Sequence, residues 1–385
     1  SGQWWWNKHP ETGKPLISSV HPACGVPILP DKEWHEKDFQ EVNADVDLSR
    51  SFIDQMFELR KHIPTAAHGN YQEPENSIAV ASFGDVNSYF MVASKGKNCF
   101  FSIVVLNGEN SSEVYNSESI TDSYHVIHCE RMFNCQYVRE SKDCLNSLFL
   151  FDCRNCEFIF GGSNLRNKKY VWFNEQLTQE EWERRRAEVN TASRAAMKPF
   201  LEKFELMILD AVWPENFNIK SENCLGEYLT NCEDSKYVYY ADGGARNNYW
   251  IAWLIGRAEH NAFVADPAHS RDTYCSTALA NCHNCKFGVY SARCKDIEYC
   301  LECFDCEYCF GCIGLRKKKF CILNKQYSEA EYWQKVDEIK CVMLDRGEYT
   351  EGVPSKFSLG WFPESGAAKY YESTPEFGAK IGAHL

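Results

Sequence analysis

The sequence predicts a mainly β protein, a duplicated right-handed parallel β-solenoid with helical caps. Two features of the cysteines carry this prediction. Sixteen of the twenty cysteines stand at positions divisible by three, and two series within that register advance by nine residues. A fixed step is typical of a solenoid, where equivalent side chains stack in ladders on successive turns. The two series are Cys135, Cys144 and Cys153, and Cys285, Cys294, Cys303, Cys312 and Cys321.

A stretch of sequence recurs at an offset of 150 residues, which predicts an internal duplication. Segment 165–178 matches segment 315–328 at Leu, Arg, two Lys, Asn and Gln, and Tyr170 corresponds to Phe320. We therefore expect two solenoid lobes that end in the same basic turn. The same offset relates Cys135 to Cys285, Cys144 to Cys294, Cys153 to Cys303 and Cys156 to Cys306.

Asn or Asp precedes a cysteine ten times, and this pairing predicts corners. Both residues tolerate left-handed backbone and bond their own main chain, so the small thiol that follows can point inward. Two nine-residue half-turns would then give a turn of roughly eighteen residues. The corner candidates are Asn98, Asn134, Asp143, Asp152, Asn155, Asn223, Asn231, Asn281, Asn284 and Asp305.

Amphipathic stretches predict helices beside the lobes. Residues 48–63 form one, stopped by Pro64. Thr178 and Ser328 each stand three residues before a glutamate, which is typical of a capping box. From Thr178 we expect a helical run through about Ile208. Such helices would cap the stacks and protect their edges.

These elements divide the chain into five predicted segments. They are an N-terminal arm with an amphipathic helix (1–90), a first lobe (91–177), a connecting helix (178–212), a second lobe (213–327) and a C-terminal helix with an arm (328–385).

Charge and composition limit the possible partners and location. The net charge of −13 disfavours bulk nucleic acid and anionic membranes unless a local basic patch exists. No apolar run is long enough for a transmembrane helix, and no signal peptide is visible at the start of the sequence. The cysteines are too periodic, in too long a chain, for a disulfide framework, so we expect reduced thiols and a cytoplasmic protein.

The segment 309–328 resembles the signature of an uncharacterised, cysteine-rich protein family of candidate-phyla-radiation (Patescibacteria) bacteria. Segment 47–59, Gly347-Glu-Tyr349, Pro354 and Ser358 are similar to further landmarks of that family. Its members usually carry an N-terminal zinc ribbon, whereas Cys24 is the only cysteine of this sequence before residue 99. The resemblance implies the duplicated solenoid and no particular activity.

The tandem Cys-x2-Cys run between Cys300 and Cys312, with Cys282 and Cys285 upstream, has three interpretations. The spacing alone suits structural zinc or an iron–sulfur cluster, and disulfides are a further alternative. Stacked core thiols explain in addition why Leu150, Ile159 and Gly162 stand at corresponding first-half positions, which a four-ligand site would not tolerate. Core packing is therefore favoured, and no metal ligand or cofactor is assigned.

The basic turns are the candidate binding residues, with nearby aromatic side chains. They could hold a phosphate backbone or an acidic partner, or they could cap the last rung, as their recurrence in both halves favours. The candidates are Arg166, Lys168, Lys169, Arg316, Lys318 and Lys319, and Lys317 stands among them.

Acid–base candidates are present, but no spacing recurs between the halves and no nucleophile motif is found. We therefore assign no catalytic residue and favour a non-enzymatic protein. The candidates considered are His125 and His128 near Asp122 and Glu130, and His260 and His269 near Asp266 and Asp272.

Aromatic residues at both ends predict an interface, because contiguous exposed aromatic rings normally mark one. The candidates are Trp4, Trp5, Trp6, Trp361 and Phe362. The leading functional hypothesis is a structural scaffold that self-associates or binds a protein partner. A nucleic-acid-associated module that uses the basic turns is the alternative, and a metal-binding or catalytic solenoid is the second alternative.

Overall fold

The computed structural model describes residues 4–251, 254–255, 259 and 295–349. The described chain is mainly β with few helices, and most of its strand pairs are parallel. It divides into two compact units. Unit 1 contains Trp4 and His68–Trp213, and unit 2 contains Trp5–Ala67 and the described residues from Pro214 onward. No helix in the described part combines the length and the apolar character that crossing a bilayer requires.

The N-terminal segment of unit 2 contains short strands and two helices. Its elements are β1 (Trp5–Lys8), β2 (Pro15–Ser18), β3 (Ile28–Leu29), α1 (Asp31–Glu36), α2 (Phe52–Arg60) and β4 (Thr65–Ala66). Strands β1 and β2 are antiparallel, and β3 and β4 are parallel. Helix α2 lies within the predicted span 48–63 and begins after Ser51, whose hydroxyl accepts a hydrogen bond from the Asp54 amide.

Unit 1 is a run of short strands followed by two helices. The strands are β5 (Ile78–Val80), β6 (Tyr89–Val92), β7 (Lys95–Lys97), β8 (Ile103–Glu109), β9 (Ser112–Thr121), β10 (Tyr124–Ile127), β11 (Glu130–Phe133), β12 (Gln136–Arg139), β13 (Lys142–Leu145), β14 (Leu148–Phe151), β15 (Arg154–Ser163), β16 (Lys169–Trp172) and β17 (Glu175–Gln176). The helices are α3 (Gln179–Ala187) and α4 (Arg194–Leu209).

The central strands of unit 1 pair in parallel with a register of twelve residues. Tyr124 of β10 pairs with Gln136 of β12, and Glu130 of β11 pairs with Lys142 of β13. The long strand β9 pairs with both β10 and β11, and the long strand β15 pairs with both β13 and β14. The seven strands β9–β15 therefore form a closed parallel barrel in their connectivity, with the remaining strands of the sheet outside it.

The predicted turn of roughly eighteen residues is wrong, because the strand register is twelve. The nine-residue cysteine step has another origin. The thiol of Cys135 donates to the carbonyl oxygen of Cys144 at 3.3 Å, and that of Cys153 donates to the carbonyl oxygen of Gly162 at 3.5 Å. The nine-residue spacing of the cysteines therefore reflects a diagonal contact, from a thiol to a carbonyl oxygen, between successive levels of the sheet.

The predicted corners are confirmed wherever the structure describes them. Every third residue from Glu113 to Phe158 has a positive φ angle, so the chain bends at regular intervals. Asn and Asp tolerate this left-handed conformation better than other non-glycine residues. Asn281 and Asn284 lie outside the described residues. The other eight predicted corners have φ between 47° and 55°: Asn98, Asn134, Asp143, Asp152, Asn155, Asn223, Asn231 and Asp305.

The later part of unit 2 contains further parallel strands and a long helix. Its elements are β18 (Leu225–Thr230), β19 (Lys236–Asp242), β20 (Tyr249–Ile251), β21 (Leu254–Ile255), β22 (Lys295–Glu298), β23 (Glu307–Phe310), β24 (Lys319–Ile322), β25 (Lys325–Gln326) and α5 (Glu329–Asp345). The apolar faces of α2 and α5 share one buried cluster with residues of β23 and β24. The N-terminal segment thus packs on the second lobe.

The end of the sheet in each unit has the same pairing 150 residues apart. Glu157 pairs with Lys169 in unit 1, and Glu307 pairs with Lys319 in unit 2. Strand β17 then turns back on β16, as β25 does on β24. Each end also carries one stacked aromatic pair, Phe158 on Tyr170 and Tyr308 on Phe320.

Helices follow both ends, as predicted, with one difference. The expected single run from Thr178 to Ile208 is two helices, α3 and α4, separated at residues 188–193. Ser328 forms the full capping box with Glu331. The Thr178 hydroxyl accepts from the Glu181 amide, but the Glu181 carboxylate instead pairs with Arg184 and Arg185.

Candidate functional site

The inward-facing cysteines of unit 1 are buried and bonded to the main chain. Besides its bond to Cys144, the Cys135 thiol lies 3.3 Å from the carbonyl oxygen of Phe133. Ser123 and Ser147 occupy the equivalent positions twelve residues before and after it. Their hydroxyls likewise donate to the carbonyl oxygen two residues earlier, that of Thr121 and that of Leu145. Cysteine and serine are interchangeable here because both are small donors that satisfy inward carbonyl groups.

Burial makes the thiols of Cys129 and Cys135 poor nucleophiles. It raises the pKa of Cys135 to about 12 and raises the pKa of Cys129 further, because the thiolate would lose its hydration. A thiol that stays protonated at neutral pH is neither a nucleophile nor a metal ligand in that form. The arrangement therefore supports packing as the role of this ladder.

The cysteine run of the second lobe is buried in the same way. Its members are fully buried and form one cluster with Ile297 and Leu315: Cys300, Cys303, Cys306, Cys309, Cys312 and Cys321. All sixteen cysteines in the described ranges are free thiols. Within those ranges no group of three or more His, Cys, Asp or Glu side chains is arranged to hold a metal ion. Cys282 and Cys285 lie outside the described residues.

The first-lobe histidines belong to polar ladders on the corners of unit 1. His125 Nδ1 lies 3.2 Å from Glu113 Oε2. His128 Nδ1 lies 2.8 Å from Glu140 Oε1, and its Nε2 lies 3.1 Å from the amide of Asn116. Both nitrogens of His128 are therefore engaged. His260, His269, Asp266 and Asp272 lie outside the described residues.

The basic turn of unit 1 is open to solvent but largely neutralised. Lys169 pairs with Glu157 at 2.6 Å, and Arg166 Nη2 lies 2.8 Å from the buried carboxylate of Asp152. Arg154 also contacts that carboxylate at 3.3 Å. Lys168 is exposed and forms no ion pair with the described residues. Within the part of the chain that the structure describes, Lys168 is thus the cation of this turn that has no carboxylate partner.

The basic turn of unit 2 is engaged by the N-terminal segment. Arg316 donates from Nε to the carbonyl oxygen of Lys37 at 2.9 Å and from Nη2 to that of Trp34 at 3.0 Å. Its guanidinium also lies over the rings of Trp34 and Phe304. Residues that resembled a binding patch in the sequence therefore hold the segment in place. Of the neighbouring lysines, Lys318 pairs with Asp38 at 3.1 Å, Lys319 pairs with Glu307 at 2.5 Å, and Lys317 is exposed.

The predicted aromatic interface residues have different surroundings. Trp4 is half-buried and meets the ring of Phe90 edge-on at 5.9 Å in unit 1. Trp5 packs on His21 in unit 2, and Trp6 is 70% exposed. Trp361 and Phe362 lie outside the described residues.

An exposed aromatic patch on unit 1 was missed by the sequence reasoning. Phe90 stacks on Phe101 with ring centroids 5.2 Å apart, and Tyr89 stacks on Phe100 at 6.0 Å. Phe101 is 57% exposed, and Phe90 and Phe100 are 36% and 39% exposed. The available signal was the recurrence of an aromatic pair eleven residues apart, Tyr89-Phe90 and Phe100-Phe101. We call Trp4, Tyr89, Phe90, Phe100 and Phe101 the aromatic patch.

A polar cavity lies at the start of the unit 2 sheet, beside β18, and was also missed. Its volume is about 490 Å³. Two lysines, Lys220 and Lys236, contribute to its wall together with Asn216, Ser221 and Asn223. Seven of its eight lining residues lie within residues 216–225, but they match no known binding motif, so no signal in the sequence indicated it.

Comparison with known proteins adds little. The chain matches no protein-family model, and no curated protein is similar to it in sequence. A solved structure from Desulfovibrio desulfuricans G20, described as a "putative acetyltransferase", is 9% identical to this chain. The likeness covers 71% of this chain and 80% of that one, with a TM-score of 0.14. A similarity this distant does not place the chain in a family.

Proposed function

We propose that the protein is a non-enzymatic interaction scaffold built on a duplicated, cysteine-ladder β-solenoid. The observation that carries the proposal is the aromatic patch, which unit 1 presents on its surface and which contains two pairs of stacked rings. Monomeric soluble proteins seldom expose clustered aromatic rings without a partner.

The solenoid is supported by the regular geometry of unit 1. A register of twelve residues with left-handed corners at every third residue gives four inward positions in each turn. Val126, Cys129, Met132 and Cys135 occupy the inward positions of one turn, and each is at most 1% exposed. The pairings that recur at an offset of 150 residues support the duplication.

The interior supports a structural role for the cysteines. Their thiols donate to carbonyl oxygens and fill the space between the strands. Such a frame is rigid because its polar groups are satisfied internally. The free thiols also fit the reducing conditions of a cytoplasmic location, which is part of this proposal.

The partner is a protein, and a second copy of the chain is the first to test. Offset and edge-on ring packing, as between Trp4 and Phe90, lets similar aromatic surfaces pack on each other. The variant Phe100→Ser/Phe101→Ser removes the exposed rings of one level of the patch. Phe133→Ser is the matched control, because Phe133 is 46% exposed on β11 outside the patch.

Light scattering coupled to size-exclusion chromatography, run over a range of protein concentrations, tests the proposal. We expect the wild type and the Phe133→Ser variant to exceed the 44.5 kDa monomer mass at high concentration and the double variant to stay monomeric. A wild type that remains a 44.5 kDa monomer at every concentration would overturn self-association.

A further inference from the structure

The polar cavity beside β18 lies where a sheet level would be expected and none is described. In the next level, the Asn231 amide donates to the carbonyl oxygen of Ile219, and the Asp234 amide donates to that of Glu222. The residues equivalent to Asn231 and Asp234 one level earlier are Lys220 and Asn223, because Ile219 pairs with Thr230 and Glu222 with Glu233. Their amides therefore face away from the next level, and both residues line the cavity.

These amides have no partner within the described residues. The backbone amide of Ser221 also has no partner within the described residues. Its equivalent in the next level, the backbone amide of Cys232, donates to the Ser221 hydroxyl at 3.2 Å. Three residues with unpaired backbone donors thus line the cavity. An unpaired backbone donor at a solvent-accessible edge is an available recognition group for an acceptor.

Two cations complete the donor set. Lys220 and Lys236 both line the cavity and are exposed, and neither forms an ion pair with a described residue. This contrasts with Lys169, Lys318 and Lys319, each of which has a carboxylate partner. In a chain of net charge −13, two unpaired lysines beside free backbone amides form a local site for an anion.

We infer that this cavity binds the phosphate group of a small phosphorylated ligand. A phosphate monoester carries a charge of about −1.5 to −2 and three acceptor oxygens, which matches two ammonium groups and three amide donors. The cavity, at about 490 Å³, has room for a polar body beyond the phosphate. On its wall, the Asn216 side-chain NH2 can donate to a hydroxyl group, while its oxygen accepts from the Asn218 amide at 3.0 Å.

Isothermal titration of the full chain with inorganic phosphate, ribose 5-phosphate and ribose tests this inference at constant ionic strength. We expect one site per chain, tighter binding of ribose 5-phosphate than of inorganic phosphate, and no heat from ribose. The variant Lys220→Gln/Lys236→Gln should weaken binding by at least about tenfold, since each lysine supplies a charge-assisted contact.

Lys14→Gln/Lys32→Gln is the control, because it removes the same charge from two exposed lysines outside the cavity. It should bind like the wild type, and circular dichroism should show both variants folded. Equal weakening in both double variants, or no binding of either phosphate compound by the wild type, would overturn the inference. The aromatic patch plays no part in this site, so the two proposals fail independently.

Discussion

The hydroxyl of Thr65 donates a hydrogen bond to the carboxylate of Glu302, although the two residues are 237 positions apart in the chain. Arg60 Nη2 lies 3.6 Å from the same carboxylate, and the side chains of Arg60 and Glu302 are 4% and 11% exposed. Arg60 Nε and Nη1 and Glu302 Oε2 have no hydrogen-bond partner among the described residues. A buried ion pair thus joins the N-terminal segment to the second lobe of unit 2.

Removing the charge of Glu302 should destabilise unit 2 strongly. Glu302→Gln leaves the Arg60 guanidinium buried without a counter-charge, and such losses cost about 3–5 kcal/mol. Urea denaturation followed by tryptophan fluorescence measures the loss. Glu329→Gln, at an exposed position of α5, is the control and should change stability little. A similar midpoint for both variants would show that the pair contributes nothing.

Arg316 and Arg166 occupy equivalent positions but should differ in importance. Arg316→Ala loses two hydrogen bonds to carbonyl groups and the stacking on Trp34, so we expect a loss of about 2–3 kcal/mol. Arg166 also donates to the carbonyl oxygens of Asp152 and Leu165, but its side chain is 48% exposed and Asp152 keeps Arg154 as a partner. Arg166→Ala should therefore cost less than about 1 kcal/mol. Denaturation midpoints of the two variants check this order, and a reversed order would contradict the assigned contacts.

Serine should replace Cys135 better than valine does. Cys135→Ser keeps a donor for the carbonyl of Phe133 and reproduces the neighbouring Ser123 and Ser147. Cys135→Val loses the thiol's bonds to the carbonyls of Phe133 and Cys144, although the Asn146 amide still donates to the Phe133 carbonyl. It also adds a methyl group to a packed interior, so we expect a cost of about 1–3 kcal/mol. Thermal unfolding should rank the wild type and serine variant above the valine variant. A valine variant as stable as wild type would mean that the thiol serves only to fill space.

Stability should fall in alkaline solution. The folded state raises the pKa of Cys135 from its ordinary 9.0 to about 12, so it holds the thiol proton more tightly than the unfolded chain does. The resulting stabilisation is fully present below pH 9 and is lost as the pH rises from 9 to about 12, at about 1.4 kcal/mol per pH unit for each such thiol. Urea midpoints measured between pH 8 and pH 11 should show this decline, and a flat profile would contradict the burial of the ladder.

The local rules of the fold could be predicted from the sequence. The three-residue register of the cysteines and the Asn or Asp before them identified inward positions and corners, because both depend on side-chain size and backbone preference. The predicted turn length was wrong, because the nine-residue step joins residues that contact each other diagonally between levels, whereas paired strand residues are twelve apart. Cys135 and Cys144 touch through a thiol and a carbonyl, not as paired strand residues.

The tertiary roles were not predictable. Arg316 stands in a lysine-rich run that is typical of a surface, and only the folded chain brings Trp34 and Lys37 to it. The aromatic patch depends on turns of eleven residues, shown by the pairing of Tyr89 with Phe100, where the cysteine pattern suggested another spacing. The polar cavity depends on which amides remain unpaired at the first level of a sheet. That is decided by register and not by composition.

Hydroxyl-radical footprinting read by mass spectrometry tests the central claim most directly, because it reports the exposure of individual aromatic rings. If the aromatic patch is the interface, oxidation of Phe100 and Phe101 should fall as the protein is concentrated, while that of Phe133 stays constant. Equal oxidation of Phe100 and Phe101 in dilute and concentrated samples would contradict the scaffold account.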